Sequence, residues 1–320
     1  MTIGATLLAS LLIALTRPAT WVLGLLGFLL RGGLVLVVAP IVVLPTPVGL
    51  ANVLAPVLED VAFGRRTAQV AELAVVVVAA VLVWLVGGGV VAAAAEVELV
   101  RTVAADDELS VAGGLARGTV NGSQSVRDRA WRVLAVRLVA LIPLLVALGW
   151  GSVRIVAVIY RELTVPSDVA SPLAARVLAG APDAVVAIVV TWLVGETIGV
   201  LAARRVVLLG EGVARSLRGG LGRFLRHPAR SLAMSTLTTT VVVVVLVLTT
   251  LAVAAAWDGI RASLALDDGW LAPVLLVVTF VALFAVGLVL LGVVAAWRSA
   301  VWTVELAGTF GAPHGARTGD

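Results

Sequence analysis

The 320-residue chain contains no cysteine, no lysine and only two histidines, His227 and His314. The missing cysteine excludes disulfides, thiolate metal sites and cysteine nucleophiles, and the scarcity of histidine excludes a histidine-rich metal centre. Charged residues are also scarce, at 13% of the chain, whereas a soluble globular domain carries about 25%. Water solvates such a surface poorly, so the composition indicates a lipid environment.

Long apolar runs are what the chain has in abundance. Hydrophobic residues make up 61% of it, and the mean hydropathy is +1.13. Crossing a bilayer takes about 20 apolar residues, and a backbone in lipid must satisfy its own hydrogen bonds, which favours helices. We therefore predict an all-α, polytopic membrane helix bundle. Its transmembrane helices are predicted at about 20–44, 70–95, 131–155, 184–203, 229–256 and 271–297.

The arginines predict the orientation of these spans. Most lie in or beside two connections, whereas the other three connections together hold six. By the positive-inside rule the two rich connections are cytoplasmic, which with six spans makes both termini cytoplasmic in a bacterial cytoplasmic membrane. The N-terminal apolar run follows no basic residue, so we expect a retained helix rather than a cleaved signal. The two clusters are Arg101, Arg117, Arg127, Arg129, Arg132 and Arg137, and Arg204, Arg205, Arg215, Arg218, Arg223, Arg226 and Arg230.

Self-similarity suggests a repeat. VWLVGGGVVAAAA at 83–95 aligns with TWLVGETIGVLAA at 191–203 at an offset of 108 residues, and VLLGVVAAW at 289–297 is a fainter copy. We interpret this as three helical hairpins joined by amphipathic cytoplasmic linkers. The alternative is chance similarity in a biased composition. The predicted organisation is one transmembrane domain at 1–307, with hairpins at about 17–98, 129–203 and 228–298, and a short polar tail at 308–320.

The linker EGVARSLRGGLGRFLR at 211–226 has the spacing of an amphipathic helix. Val213, Leu217, Leu221 and Phe224 form one apolar stripe. The predicted helix lies on the cytoplasmic leaflet and contacts anionic lipid headgroups. The alternative is a basic loop that only sets topology. Nucleic-acid binding is not expected, because the topology already requires the arginines. The predicted headgroup-binding residues are Arg215, Arg218, Arg223 and Arg226.

Glu196 is an acidic residue inside the fourth apolar run. A charge at that depth costs roughly 2.5–3.5 kcal/mol on insertion scales, so it needs a partner or a proton. Helix lengths place Arg31 at a similar depth, and it is the first predicted partner; Arg137 is the second. The pair is interpreted as a structural lock between hairpins, and a proton or cation relay is the alternative.

The MSTLTTT stretch adds hydroxyl groups to the fifth apolar run. Ser235, Thr238 and Thr239 are candidates for a polar path through the bundle. The alternative is that these hydroxyls bond to the carbonyls of the preceding turn or to a neighbouring helix.

GVARSLRGGLGRFLRHPARSLA at 212–233 combines a basic amphipathic linker with the entry to an apolar hairpin, and GLARGTVNGSQSVRDRAWRVLA at 114–135 does so less closely. The arrangement resembles the multi-helix membrane domain attached to some bacterial glycerophosphodiester phosphodiesterases, and related bacterial integral membrane proteins. The resemblance implies a membrane bundle. It implies no activity, because such enzymes keep their chemistry in a separate soluble barrel that this sequence does not encode.

The functional expectation is therefore a membrane protein without a catalytic site. No Ser/His, paired-Asp or metal-ligand set stands at matching depth, so we expect neither an enzyme nor a cofactor. We expect a structural, partner-binding or lipid-interacting membrane component, with a protein partner or a second copy as its associate. The alternative is a transporter or permease subunit for a small solute or lipid, which the repeat, Glu196 and the threonines favour.

Overall fold

The computed structural model describes residues 2–38, 67–105, 125–168, 170–266 and 271–310. Within these ranges nearly all residues are helical and none is in a β-strand, which confirms the predicted all-α class for the described residues. The valine-rich tract at 241–248 is helical too, although such a sequence favours strands in water.

The helices are interrupted in two places, once by a kink with non-helical backbone angles and once by a π-helical turn. These interruptions are Leu29–Gly33, between the second and third helices, and Trp84–Gly88, between the fourth and fifth. The helices are α1 (Ile3–Thr16), α2 (Pro18–Phe28), α3 (Leu34–Val38), α4 (Thr67–Val83), α5 (Gly89–Ala104), α6 (Val126–Thr164), α7 (Leu173–Gly180), α8 (Pro182–Leu209), α9 (Val213–Arg226), α10 (Pro228–Leu266) and α11 (Leu271–Phe310).

Six of the described segments are long and apolar enough to cross a membrane. Each contains most of a segment predicted from the sequence, but the last residues of the first, 39–44, lie outside the described ranges. The helix α6 has 39 residues and is about 58 Å long, so it exceeds the roughly 30 Å of a hydrocarbon core. The segments are Pro18–Val38, Ala74–Ala104, Val126–Thr164, Pro182–Leu209, Pro228–Leu264 and Leu271–Ala307.

The chain divides into two compact units, and each is described by itself. Unit 1 comprises Met1–Ile13, Val100–Thr240 and Arg298–Asp320, and unit 2 comprises Ala14–Leu99 and Val241–Trp297. The single domain at 1–307 and the threefold hairpin repeat stay predictions. The tail predicted from residue 308 begins later, because α11 continues to Phe310, and residues 311–320 lie outside the described ranges.

In unit 1, α6 and α8 pack closely through small residues. A side chain on Gly195 would meet the carbonyl oxygen of Ala140 at 2.7 Å, and one on Gly199 would meet the Ala140 methyl group at 3.1 Å. Glycine at these positions therefore lets the two backbones approach, as small residues do in membrane helix pairs. The α11 stretch at 300–306 is buried on every side, which makes it a central element of this unit.

In unit 2, the backbones of α2 and α11 meet through a glycine on each. A side chain on Gly24 would lie 2.7 Å from the Ala296 amide nitrogen, and one on Gly292 would lie 2.7 Å from the Trp21 carbonyl oxygen. The Trp21 indole also donates a 2.7 Å hydrogen bond to the Ala14 carbonyl, which anchors the start of α2. These contacts need glycine on both helices.

The first span is broken rather than continuous. Gly32 adopts φ +104°, a left-handed conformation that glycine reaches readily. At Gly33 a side chain would collide with the Phe28 ring and carbonyl oxygen, at 2.4–2.6 Å. Arg31 also leaves helical geometry, with φ −88° and ψ 17°. The break therefore requires Gly32 for its backbone conformation and Gly33 for the space beside Phe28.

Candidate functional site

Glu196 lies in α8 of unit 1 and binds an arginine with each of its two carboxylate oxygens. Arg137 of α6 donates to one oxygen at 3.1 Å, and Arg298 of α11 donates to the other at 3.2 Å. All three side chains are largely buried, with 13–26% of their surface exposed. One carboxylate thereby ties three long helices together.

This corrects the first predicted partner of Glu196. Arg31 pairs with Glu96 of α5, within unit 2, and the carboxylate of Glu96 is almost wholly buried. The break in the first span changes where the Arg31 backbone lies, so depth counted along an unbroken helix was a poor guide to its partner. Arg137, the second choice, does bind Glu196. Arg298 and Glu96 were missed because each follows an apolar run near a span end and looks like an interfacial residue.

The linker α9 is a helix, but its buried face differs from the predicted stripe. Ser216, Gly220 and Phe224 are its buried residues, and Leu221 is 43% exposed. A side chain on Gly220 would lie 3.1 Å from the Ala202 amide nitrogen of α8. The helix therefore docks on α8 through small residues, and only part of its apolar surface remains open.

The arginines of α9 divide into two groups. Arg215, Arg218 and Arg226 are exposed, as predicted for headgroup contact. Arg223 instead turns inward and donates to Glu305 of α11 at 3.3 Å. Burial lowers the pKa of Arg223, and the nearby Glu305 carboxylate opposes that shift. Arg223 therefore holds the linker to α11, and its predicted headgroup contact stays a prediction.

Glu305 is a second carboxylate that bridges two arginines. Besides Arg223, it accepts a 2.8 Å hydrogen bond from Arg230 at the start of α10, and its side chain is 7% exposed. Before the start of α9, Arg205 at the end of α8 donates two hydrogen bonds to the Glu211 carboxylate, at 2.9 and 2.7 Å. Such forked pairs fix orientation as well as distance. Together they hold both ends of the linker helix.

The three residues of α10 that were predicted to line a polar path differ in their hydrogen bonds. Thr238 donates to the Met234 carbonyl oxygen at 2.8 Å, which is the structural alternative predicted for it. The buried hydroxyl oxygens of Ser235 and Thr239 have no hydrogen-bond partner among the described residues. They are one helical turn apart, so they face the same side. Buried hydroxyls without a partner call for water or a polar ligand.

A further buried acid lies at the opposite end of α6. The Glu162 carboxylate accepts from the backbone and hydroxyl of Ser167, at 2.9 and 2.8 Å, and from Arg176 of α7 at 3.3 Å. Its side chain is 2% exposed. It closes the end of α6 and fastens α7 there. The only signal for this role in the sequence is an acidic residue near the end of an apolar run.

Among the described residues, no group of three or more His, Cys, Asp or Glu side chains is arranged to hold a metal ion. The polar centre of unit 1 is thus an arginine–carboxylate network built on Glu196 and Glu305. Its ionic contacts join α6, α8, α9, α10 and α11 within unit 1.

Comparisons with family models, curated proteins and solved structures gave no match for this chain. The resemblance to membrane domains of bacterial glycerophosphodiester phosphodiesterases stays a prediction.

Proposed function

We propose that this chain is a multi-pass protein of the bacterial cytoplasmic membrane that acts as a non-catalytic, lipid-interacting component. Six described segments long and apolar enough to span a bilayer support the membrane location. Large apolar side chains also cover their surfaces: Val78, Val153, Leu248 and Val278 are each more than half exposed. Such a surface is stable only against lipid or another protein.

The docking of α9 carries the lipid-interacting part of the proposal. One face packs on α8, a second exposes Leu221 and Leu225, and a third exposes Arg215 and Arg226. A helix held in this way at the membrane edge puts its leucines into the acyl boundary and its arginines among the headgroups. Each arginine near an anionic surface contributes about 1 kcal/mol of attraction.

The ion pairs hold α9 in a fixed position on unit 1. Arg223 and Glu305 bind it to α11, while Arg205 and Glu211 fix the turn that precedes it. The exposed arginines therefore keep a constant position relative to unit 1. A partner protein or a second copy of the chain that approaches the cytoplasmic surface would meet the same arginines.

The test compares bilayers with and without anionic lipid. In nanodiscs, phosphatidylglycerol should slow amide hydrogen exchange in α9 relative to phosphatidylcholine, and the triple variant Arg215→Gln, Arg218→Gln, Arg226→Gln should lose that difference. A variant with the same charge change, Arg154→Gln, Arg161→Gln, Arg261→Gln, is the control, since those side chains are 49–62% exposed elsewhere. An α9 response to phosphatidylglycerol that survives the first variant contradicts the proposal.

A transporter or permease subunit is the second candidate function. The unpartnered hydroxyls of Ser235 and Thr239 and the broken first span favour it, because carriers place broken helices and polar groups inside the membrane. Movement of a fluorescent phosphatidylglycerol between the leaflets of proteoliposomes tests it. Movement above that of protein-free vesicles, abolished by Ser235→Ala with Thr239→Val, supports transport. A rate equal to that of protein-free vesicles rejects lipid as the cargo.

A further inference from the structure

Two interrupted helices meet in unit 2. The kinked segment Leu29–Gly33 contacts the π-helical turn Trp84–Gly88, and a side chain on Gly88 would lie 3.6 Å from the Leu30 carbonyl oxygen. Both lie inside segments long enough to span a bilayer. A π-helical turn is an uncommon element that is frequent at functional sites, and here it faces a break in the neighbouring helix.

Arg31 is the charged residue at this contact. Its guanidinium carries five N–H donors, and its only partner among the described residues is the buried carboxylate of Glu96. The side chain is 39% exposed, and its one hydrogen bond to Glu96 uses a single N–H. Glu96 neutralises the charge and holds the side chain in place, while the remaining N–H groups have no acceptor among the described residues.

The two interrupted segments also expose apolar side chains. Leu34 and Val35, just beyond the break, are 40% and 67% exposed, and Trp84 and Leu85 on the facing turn are 42% and 41% exposed. A partly exposed guanidinium on such an apolar part of a bilayer-spanning helix is costly unless a polar group accompanies it. A ligand that satisfies both features must combine an anionic, multi-oxygen headgroup with acyl chains.

We propose that Arg31 binds the phosphate of a membrane phospholipid at the break between α2 and α3. The phosphate oxygens accept from the remaining guanidinium donors, and the acyl chains lie along Val35 and Leu85. Arginine suits this role because its planar fork matches phosphate oxygens. The site rests on the proposed membrane location but is distinct from the α9 surface, and it binds one lipid from the side rather than a layer of headgroups.

The full-length protein, purified in detergent and titrated with phosphatidylglycerol, allows bound lipids to be counted by native mass spectrometry. The double variant Arg31→Gln, Glu96→Gln removes both members of the ion pair, and it should weaken the tightest lipid-binding step about tenfold or more. Arg31→Lys, which keeps the charge and loses the fork, should give an intermediate loss. The matched control is Arg154→Gln, Asp183→Asn, an Arg–Asp pair of unit 1 at 3.4 Å, which should bind like the parent.

Two further arms separate the possible sources of the phosphate and of failure. Diacylglycerol, which lacks the phosphate, should not occupy the site, and inorganic phosphate alone should not raise the melting temperature of the parent protein. Stabilisation by inorganic phosphate that depends on Arg31, without lipid binding, overturns the lipid assignment. Equal lipid binding by the parent and the double variant overturns the site itself. Extraction of the parent from membranes by alkaline carbonate would instead refute the membrane location, so the two failures are distinguishable.

Discussion

Replacing Glu196 by alanine tests whether the carboxylate locks three helices together. The change removes the acceptor from both Arg137 and Arg298, which lie 3.1 and 3.2 Å from its oxygens. Removing one partner of a buried ion pair typically destabilises by about 3–5 kcal/mol. Because 13–26% of each side chain is exposed, solvent screens part of the interaction, and we expect a loss of about 2–4 kcal/mol.

The assay is equilibrium unfolding in mixed detergent micelles, with helix content and tryptophan fluorescence as probes. Glu196→Gln keeps the shape of the side chain but removes its charge. It should therefore lose most of the same stability, because the attraction to both arginines depends on that charge. Asp258→Ala is the control: its pair with Arg261 spans 3.8 Å, and both side chains are at least 60% exposed. An exposed pair contributes about 0–1 kcal/mol, so that variant should unfold nearly like the parent.

A double-mutant cycle decides whether the loss comes from these contacts. Adding Arg137→Gln to Glu196→Gln should cost much less than Arg137→Gln alone, because the partner is already gone. If Glu196→Ala unfolds like the parent, or if the two changes are additive, the carboxylate does not lock α6 to α8. A relay role for Glu196 would then depend on flux measurements alone.

The remaining predictions concern packing, the linker and orientation. Gly195→Val should lower the free energy of unfolding by about 1–3 kcal/mol, because the added side chain separates α6 from α8. Gly27→Ala is the control, since its added side chain meets no atom within 4 Å and should change stability little. Equal losses of stability in the two variants would contradict the close packing at Gly195. Glu305→Gln should loosen α9, so amide exchange there should rise while α7 keeps its protection; unchanged exchange would show that the bridge does not hold the linker. Because the chain has no cysteine, single cysteines at the exposed positions Ala214 and Ser167 report sidedness. In permeabilised cells both should react with a membrane-impermeant thiol reagent, and in intact cells only the second should, so the reverse pattern refutes the topology.

The sequence predicted one polar contact correctly and missed others for a common reason. Glu196 stood out because it interrupts an apolar run, and its second-choice partner Arg137 is confirmed. Glu305, Glu96 and Arg298 lie close to span ends, where a charge is ordinary, so nothing in their local sequence distinguishes a bridge from an interfacial residue. Their pairing depends on which helices are neighbours, and neighbours are set by packing between segments far apart in the chain.

The linker illustrates the same limit. Its spacing predicted a helix, and α9 is one, but the buried face follows Ser216, Gly220 and Phe224 rather than the apolar stripe. Amphipathic spacing reports which side chains avoid water. It does not report that a neighbouring helix requires small residues for close approach, which is why a serine and a glycine are buried while Leu221 is exposed.

By itself the sequence determined that the chain is helical and how many segments are long enough to span a bilayer, because length and apolarity are properties of single segments. It also indicated that Glu196 needs a partner, since a lone charge among apolar residues is costly wherever it packs. Only the tertiary structure decided which arginines meet which acids, where the first span breaks, and which arginine of α9 turns inward. Those outcomes depend on contacts between residues distant in sequence. The break also depends on backbone geometry: Gly32 adopts a positive φ, and Gly33 has no side chain that would collide with Phe28.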